Sequence, residues 1–245
     1  MISVCVTTYN GEKYIKEQLD SILCQLESDD EVIVSDDGST DKTLEIINSY
    51  NDDRIKLLHH KKDEHHKEYS FYKISKNVEN AINHATGELV FLADQDDVWE
   101  KNKVSTVKHK MGNALLLLHD CSLINEHGET THTSYFELNN SRSGVLRNLI
   151  KCSYLGCCMV LNKALLNKAF PFPQEPVPHD LWFGLVADWQ NSTTVIHDTL
   201  IRYRRHQANQ SSTSKKSEAK KAYKIKYRVF IFKALIKRFV LKSKK

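Results

Sequence analysis

Residues 88–99 read E-L-V-F-L-A-D-Q-D-D-V-W, and no other stretch restricts the possible folds as much. The apolar run 89–93 begins just after Gly87 and carries no alternation, the pattern of a strand buried on both faces of a parallel sheet. Asp94, Asp96 and Asp97 follow at once, so three carboxylates are expected at the carboxyl edge of a central strand, where open α/β sheets bind ligands. Like charges held that close need a cation or a network of donors, and a divalent metal is the simplest such cation. The same residues suit a solvated turn equally well, with Asp97 as the N-cap of a helix starting near Glu100.

The chain ahead of this stretch alternates strand and helix. Residues 2–9 (I-S-V-C-V-T-T-Y) form a β-branched strand closed by the turn pair Asn10-Gly11. Over 12–27, Tyr14, Ile15, Leu19, Ile22, Leu23 and Leu26 recur at helical spacing. A strand over 31–35 runs into D-D-G-S-T-D, then a helix over 42–50, a strand over 55–58 and a helix over 74–85. Repeated strand-helix units imply right-handed crossovers, hence an α/β fold with a mostly parallel central sheet flanked by helices. His59, His60, His65 and His66 lie in a connection rich in Lys and Glu; a solvated loop is the simpler reading, and they receive no role.

With 245 residues, the chain accommodates one sizeable domain and a small appendage. No apolar run approaches the roughly 20 residues that span a bilayer. Met1 leads directly into the first strand, without a charged leader or cleavage site, so a cytosolic protein is expected. Cys5, Cys24, Cys121, Cys152, Cys157 and Cys158 lack metal-site spacing and read as reduced packing residues.

Two acidic strand ends, Asp36-Asp37 and 94–97, suit a nucleotide diphosphate: one carboxylate accepts from base or ribose, another anchors a metal. Neither a G-x-x-x-x-G-K-[ST] loop nor a G-x-G-x-x-G turn is present to hold phosphate through backbone amides. A metal would have to take that task.

Three segments in order, V-T-T-Y-N-G-E-K-Y-I at 6–15, V-S-D-D-G-S-T-D-K-T at 34–43 and F-L-A-D-Q-D-D-V-W at 91–99, resemble the family 2 glycosyltransferases. The D-Q-D-D-x-W form resembles bacterial members that build O-antigen and capsule sugars. The resemblance covers about residues 1–210 and implies an inverting enzyme of the GT-A fold, whose nucleotide-binding half is Rossmann-like. It assigns Thr7, Tyr9 and Asp37, with Asp36 beside them, to the nucleotide base. Asp94 and Asp96 match the D-x-D pair, the first near the ribose and the second on Mn2+ or Mg2+. Asp97 is a neighbour or a cap. From the residues alone, Thr7 and Tyr9 read simply as strand residues.

Downstream, strands are expected over 114–119 and 121–125, a short helix over 143–150 and a strand over 154–162 (Y-L-G-C-C-M-V-L-N). That last strand resembles the family's pocket-lining strand, with Gly156 allowing close approach of the donor, or is a core strand with a bulge. In P-V-P-H-D-L-W-F-G (176–184), Asp180 opens an apolar helix. It matches the family's general base, which takes the proton of the acceptor hydroxyl; a plain N-cap is the rival reading. I-R-Y-R-R-H (201–206) resembles the family's Y-R-x-H segment. His206 would be a metal or phosphate ligand, against a surface histidine, and Arg204, with Arg202 and Arg205, would face the diphosphate.

Residues 215–245 carry thirteen Lys or Arg against the single Glu218, a balance of +12, so the total of +4 leaves −8 for residues 1–214. Ile225, Val229, Phe232, Ile236 and Phe239 form a stripe, with Lys226, Lys233 and Lys237 on another face. Residues 211–245 are therefore expected to be a basic amphipathic tail behind a 1–210 catalytic domain, lying on an anionic membrane surface or packed on the body or a partner. Nucleic-acid binding does not suit an acidic body without a reading motif.

Together these expectations describe a metal-dependent transferase on the inner face of the cell membrane. It would move a hexose from a nucleotide-sugar donor, UDP-hexose first and dTDP-rhamnose second, to a polyprenyl-diphosphate-linked saccharide acceptor. A sugar nucleotidyltransferase and a non-catalytic nucleotide-sugar-binding protein are the competing classes. The former usually carries a Gly- and Lys-rich loop near its N-terminus, where residues 6–15 have only Gly11.

Overall fold

The computed structural model describes residues 1–61, 66, 69–174, 176–206 and 221–241. His65 and the expected linker at 211–220 lie outside these residues. In chain order the elements are β1 (Ile2–Thr8), α1 (Ile15–Leu23), β2 (Glu31–Asp36), α2 (Thr43–Asn48), β3 (Ile55–His59), α3 (Ser70–Ile82) and β4 (Leu89–Asp94). There follow β5 (Val98–Trp99), α4 (Lys103–Lys110), β6 (Leu116–Ile124), β7 (Thr130–His132), α5 (Tyr135–Asn139) and α6 (Val145–Ile150). A 3-10 turn, Gly156–Cys158, leads into β8 (Met159–Asn162), α7 (Lys163–Ala169), α8 (His179–Trp189), β9 (Thr193–Arg204) and α9 (Lys221–Ile236).

One sheet runs through the molecule in the order β3-β2-β1-β4-β8-β6-β9-β5, with β7 on β6. Its first half, β3-β2-β1-β4, is all parallel, as the alternating pattern requires. The second half differs from the expected parallel arrangement. There β8 pairs antiparallel with both β4 and β6, β9 is parallel to β6, and β5 closes the edge antiparallel to β9. The sheet is therefore mixed, with helices flanking it.

The core explains the elements. Val4, Val6, Val32, Val34, Val90 and Leu116 are fully buried, and each such aliphatic side chain withdrawn from water stabilises the fold by about 1.5–3 kcal/mol. On α1 the apolar face is Ile15, Leu19 and Ile22, as its spacing predicts. Residues 116–124 form one strand, where two were expected on either side of Asp120. Asp120 is buried yet satisfied: it accepts from Cys121 N at 2.8 Å, Phe136 N at 2.9 Å and Ser134 Oγ at 2.5 Å, so the strand does not break.

The C-terminal helix packs on the body, which was one of the two readings of the tail. Ile231 and Leu235 are fully buried in the common core. Arg238, in the π-helical turn that continues α9, lies 5.2 Å over the Trp182 ring and donates to the carbonyls of Lys168 and Phe170. Phe239 stacks on Trp189. The stripe expected from the sequence docks only in part: Phe239 packs on the core, while Val229 and Phe232 are 43% and 40% exposed. Among the described residues no helix is long and apolar enough to cross a membrane.

Candidate active site

Sheet register sets the site. In adjacent strands Thr7 of β1 stands opposite both Ser35 of β2 and Asp94 of β4, so the carboxyl ends of three parallel strands open along one line. Gln95 locks the first of these ends, its Oε1 accepting from Thr8 Oγ1 and from Tyr9 N, each at 2.7 Å. Thr7 is partly buried beside this lock, while Tyr9 is exposed past the strand end.

The two aspartates that end β2 have different tasks. Asp36 is buried and closes its own turn: Oδ2 accepts from Gly38 N and Ser39 N at 2.9 Å, and Oδ1 from Ser39 Oγ. The turn needs Gly38, whose φ is +81°. Asp37 instead lies 3.0 Å from His60 Nδ1. His60 was expected in a solvated loop, but its ring is only 9% exposed. The signal was present in the topology, since β3 lies parallel to β2 and its end must arrive beside the end of β2.

At the end of β4 the acidic turn is held from two sides. Gln18 and Ser21 of α1, with Gln25 in the turn that follows it, bond to Asp94 O at 2.7 Å, Trp99 N at 3.0 Å and Val104 N at 3.2 Å. From the other side Arg204, at the end of β9, donates its backbone N to Asp97 Oδ1 at 3.0 Å and Nε to Asp96 O at 2.9 Å. The Arg204 guanidinium also meets Glu17 at 2.6 Å and covers the Tyr14 ring at 4.6 Å. With its side chain only 3% exposed, Arg204 enters the cluster as a buried clamp on the turn.

The carboxylates are distinguished by their surroundings. Burial, then the Asp96 and Asp180 charges, push the Asp94 carboxyl up to about 7. Burial and the Asp96 and Asp94 charges raise Asp97 well above the usual carboxylate range. Asp97 is an internal acceptor for Arg204 N and does not cap α4, whose N-cap is Asn102. Asp96 Oδ2 pairs with His206 Nε2 at 2.7 Å, which unites the two residues expected to hold a metal.

Crowded carboxyls whose charge is costly fit a divalent cation, which would relieve that cost. A tighter grouping also exists, in which one ligand atom each of Asp94, Asp97 and Cys157 lies within 4.8 Å of the others. Burial pushes the Cys157 thiol well up and keeps it protonated, so it is a poor partner for Mg2+ or Mn2+, which prefer carboxylate oxygen. The Asp96 carboxylate, paired with His206 at 2.7 Å, offers such an ion a better donor than the thiol.

Asp180 is the second residue of α8. The cap position is Pro178, without a side-chain bond, and Asp180 Oδ1 accepts from Leu181 N at 2.7 Å. It is half-buried, and its charge reaches Asp94 on one side and Cys152 and Tyr227 on the other. The neighbouring His179 bonds through its backbone N to Ser75 Oγ at 3.0 Å. Gly156 opens a 3-10 turn where a strand was expected to run through. A Cβ there would lie 2.8 Å from His179 Nε2, so the glycine admits the histidine that precedes Asp180.

Sequence reasoning passed over Lys103. It is fully buried under the site, with Nζ 4.1 Å over the Trp99 ring and donating to Cys157 O at 3.1 Å. Burial lowers it to about 8, while nearby thiols and Asp97 act in the opposite direction. Helical spacing gave the clue, since positions 103, 104, 107 and 111 share one apolar face.

Residues 3–170 match the family model "Glycosyl transferase family 2". The chain belongs to that family. It is similar to "UDP-Glc:alpha-D-GlcNAc-diphosphoundecaprenol beta-1,3-glucosyltransferase WfgD" of Escherichia coli, 29% identical over 225 residues, covering 86% of this chain and 80% of that one. An uncharacterized glycosyltransferase of Rickettsia typhi is 27% identical over 235 residues, covering 87% of this chain and 67% of that one. Among solved structures, TarS of S. aureus in complex with UDP-GlcNAc superposes with a TM-score of 0.67 at 23% identity, over 94% of this chain and 71% of TarS. The mannosyltransferase PcManGT of Pyrobaculum calidifontis, in complex with GDP-Man and Mn2+, gives 0.60 at 18% identity, over 85% and 58%. The α/β fold with its mixed, helix-flanked sheet is the GT-A fold, and the family 2 chain is a glycosyltransferase.

Proposed function

We propose that this glycosyltransferase moves a hexose, with inversion, from UDP-hexose to a polyprenyl-diphosphate-linked saccharide during assembly of a bacterial surface polysaccharide such as O-antigen or capsule. The observation that carries the reading is the pairing of Asp96 with His206 just past the end of β4, with Asp94 within electrostatic reach of Asp96 and Asp180. WfgD, similar over most of both chains, is named for a UDP-Glc donor and a diphosphoundecaprenol-linked acceptor, which supports this donor and acceptor class ahead of dTDP-rhamnose.

In this reading Thr7, Tyr9 and Asp37 receive the base, with His60 orienting Asp37. Asp94 lies toward the ribose, and Gly156 leaves room at the pocket wall. Asp96 and His206 would hold Mn2+ or Mg2+, which when bound offsets charge on the departing diphosphate. Arg204 keeps the Asp96-Asp97 turn in place. Asp180 accepts the proton of the acceptor hydroxyl as that oxygen attacks the anomeric carbon. The enzyme would work peripherally on the cytoplasmic face of the membrane, where the lipid-linked acceptor resides.

The test is release of nucleoside diphosphate from a panel of UDP-, dTDP- and GDP-sugars, with lipid-linked acceptor, with and without EDTA. Release that needs metal and acceptor and is lost in Asp96→Ala is expected. Tight donor binding without release under every condition would overturn the reading in favour of a binding protein.

A further inference from the structure

We infer that α6 and the outward face of α9 together form a docking surface for an anionic lipid bilayer, with Leu146 and Ile150 as its inserting side chains. This rests on the lipid-linked acceptor of the preceding section and specifies how the protein would meet that lipid.

Leu146 and Ile150, one helical turn apart on α6, are both 73% exposed, far more than a folded domain usually leaves of two adjacent large aliphatics. Arg228 of α9 donates to the Ile150 carbonyl at 2.6 Å. That bond ties the end of α6 to the helix that carries the exposed Val229 and Phe232. Each element thus contributes apolar side chains that the core does not use, while Ile231 and Leu235 supply the buried contact.

Charge narrows the choice of occupant. Residues 138–151 contain Arg142, Arg147 and Lys151 and no Asp or Glu. Residues 228–241 contain four Lys or Arg and again no acid, in a chain whose first 214 residues carry a net −8. Arg147, Lys151 and Lys233, on the same elements as or next in sequence to these apolar side chains, are exposed. Apolar residues accompanied by cations fit a surface whose headgroups are anionic and whose interior is hydrocarbon. The acidic body of a second copy would match the cations too, so the test also reads the oligomeric state.

Position gives the third argument. Asp180 is felt by Tyr227, one residue before Arg228, and by Cys152, two residues after Ile150. The expected base is therefore within electrostatic range of both the donor carboxylates and the residues that flank this surface. An acceptor whose diphosphate stays at the bilayer would present its sugar hydroxyl from that side.

The test uses Leu146→Trp in the full chain, mixed with vesicles of phosphatidylcholine alone or with phosphatidylglycerol, and with brominated lipid as quencher. A blue shift and quenching on anionic vesicles only are expected, and Leu146→Glu/Ile150→Glu should lower partitioning at least about tenfold. Donor hydrolysis in solution should not change. No shift and no quenching, with transfer to lipid-linked acceptor intact, would overturn the surface and leave the proposed function standing. Vesicle binding without transfer from any donor would do the reverse. Sedimentation showing a dimer that Leu146→Glu/Ile150→Glu dissociates, with no vesicle binding, would assign the face to a second copy and also overturn it.

Discussion

His206 Nε2 lies 2.7 Å from Asp96 Oδ2 although 110 positions separate the two residues. Packing of the His206 ring on Tyr14, with centroids 5.1 Å apart, leaves it little freedom to leave that pairing. If the pair holds the metal, His206→Ala should weaken activation by Mn2+ at least about tenfold and lower kcat. A titration of turnover against Mn2+ checks this, and an unchanged midpoint with unchanged kcat would remove His206 from the metal shell.

Asp180→Asn keeps the size and the bond to Leu181 N while removing the base. A fall in kcat of about 100- to 10,000-fold is expected, with unchanged binding of the nucleotide by calorimetry. Near-normal turnover would end the assignment.

Gly156→Ala should separate positioning from folding. The added methyl meets His179 Nε2 at 2.8 Å, so the ring must move and Asp180 with it. The thermal midpoint should stay close to wild type, while kcat falls at least about tenfold. A large loss of stability with normal activity per folded molecule would contradict this.

Arg204→Ala removes the clamp. Its bond to the Asp96 carbonyl is buried and that to the Glu126 carbonyl, at 3.5 Å, part-buried, while the partner Glu17 is half-exposed and therefore screened. Destabilisation of about 2–4 kcal/mol is expected from the carbonyls left unsatisfied. Equilibrium urea unfolding measures it, and a change below about 0.5 kcal/mol would show that α1 alone holds the turn.

Glu31 supplies a pH signature away from the site. Burial alone would raise its carboxyl. Hydrogen bonds from Lys56 Nζ, Ser3 Oγ and Thr86 outweigh that and hold it down at about 2. A folded value below the unfolded one, about 4.3, means stability that is present above that pH and lost as pH falls toward 2. Urea midpoints between pH 5 and pH 2 should drop less steeply in Glu31→Gln than in wild type.

The first half of the fold was legible because each buried parallel strand is an apolar run and each helix carries a three-four spacing. The second half hides its strands. β9 reads T-T-V-I-H-D-T-L-I-R-Y-R, polar enough to pass for a loop, and is a strand because β6 and β5 flank it. Asp120 looked like a strand break only because the Ser134 and Phe136 donors are distant in sequence. Motif spacing nominated the site residues, but the division of labour was not readable from it. Asp36 ties a turn, Asp97 receives Arg204 N, and Lys103 supports the floor from a helix that also looks charged.

The strand β9 carries a consequence for how the protein comes into being. Its end delivers Arg204 and His206 to a turn made from residues 94–97 and to Glu17, 187 positions earlier. A chain emerging from the ribosome can complete the parallel half while those two residues are still unsynthesised, and closing so long a loop is slow. Competence to react should therefore appear abruptly and late, when β9 is laid between β6 and β5, so that a nascent chain cannot consume donor before it is a whole domain.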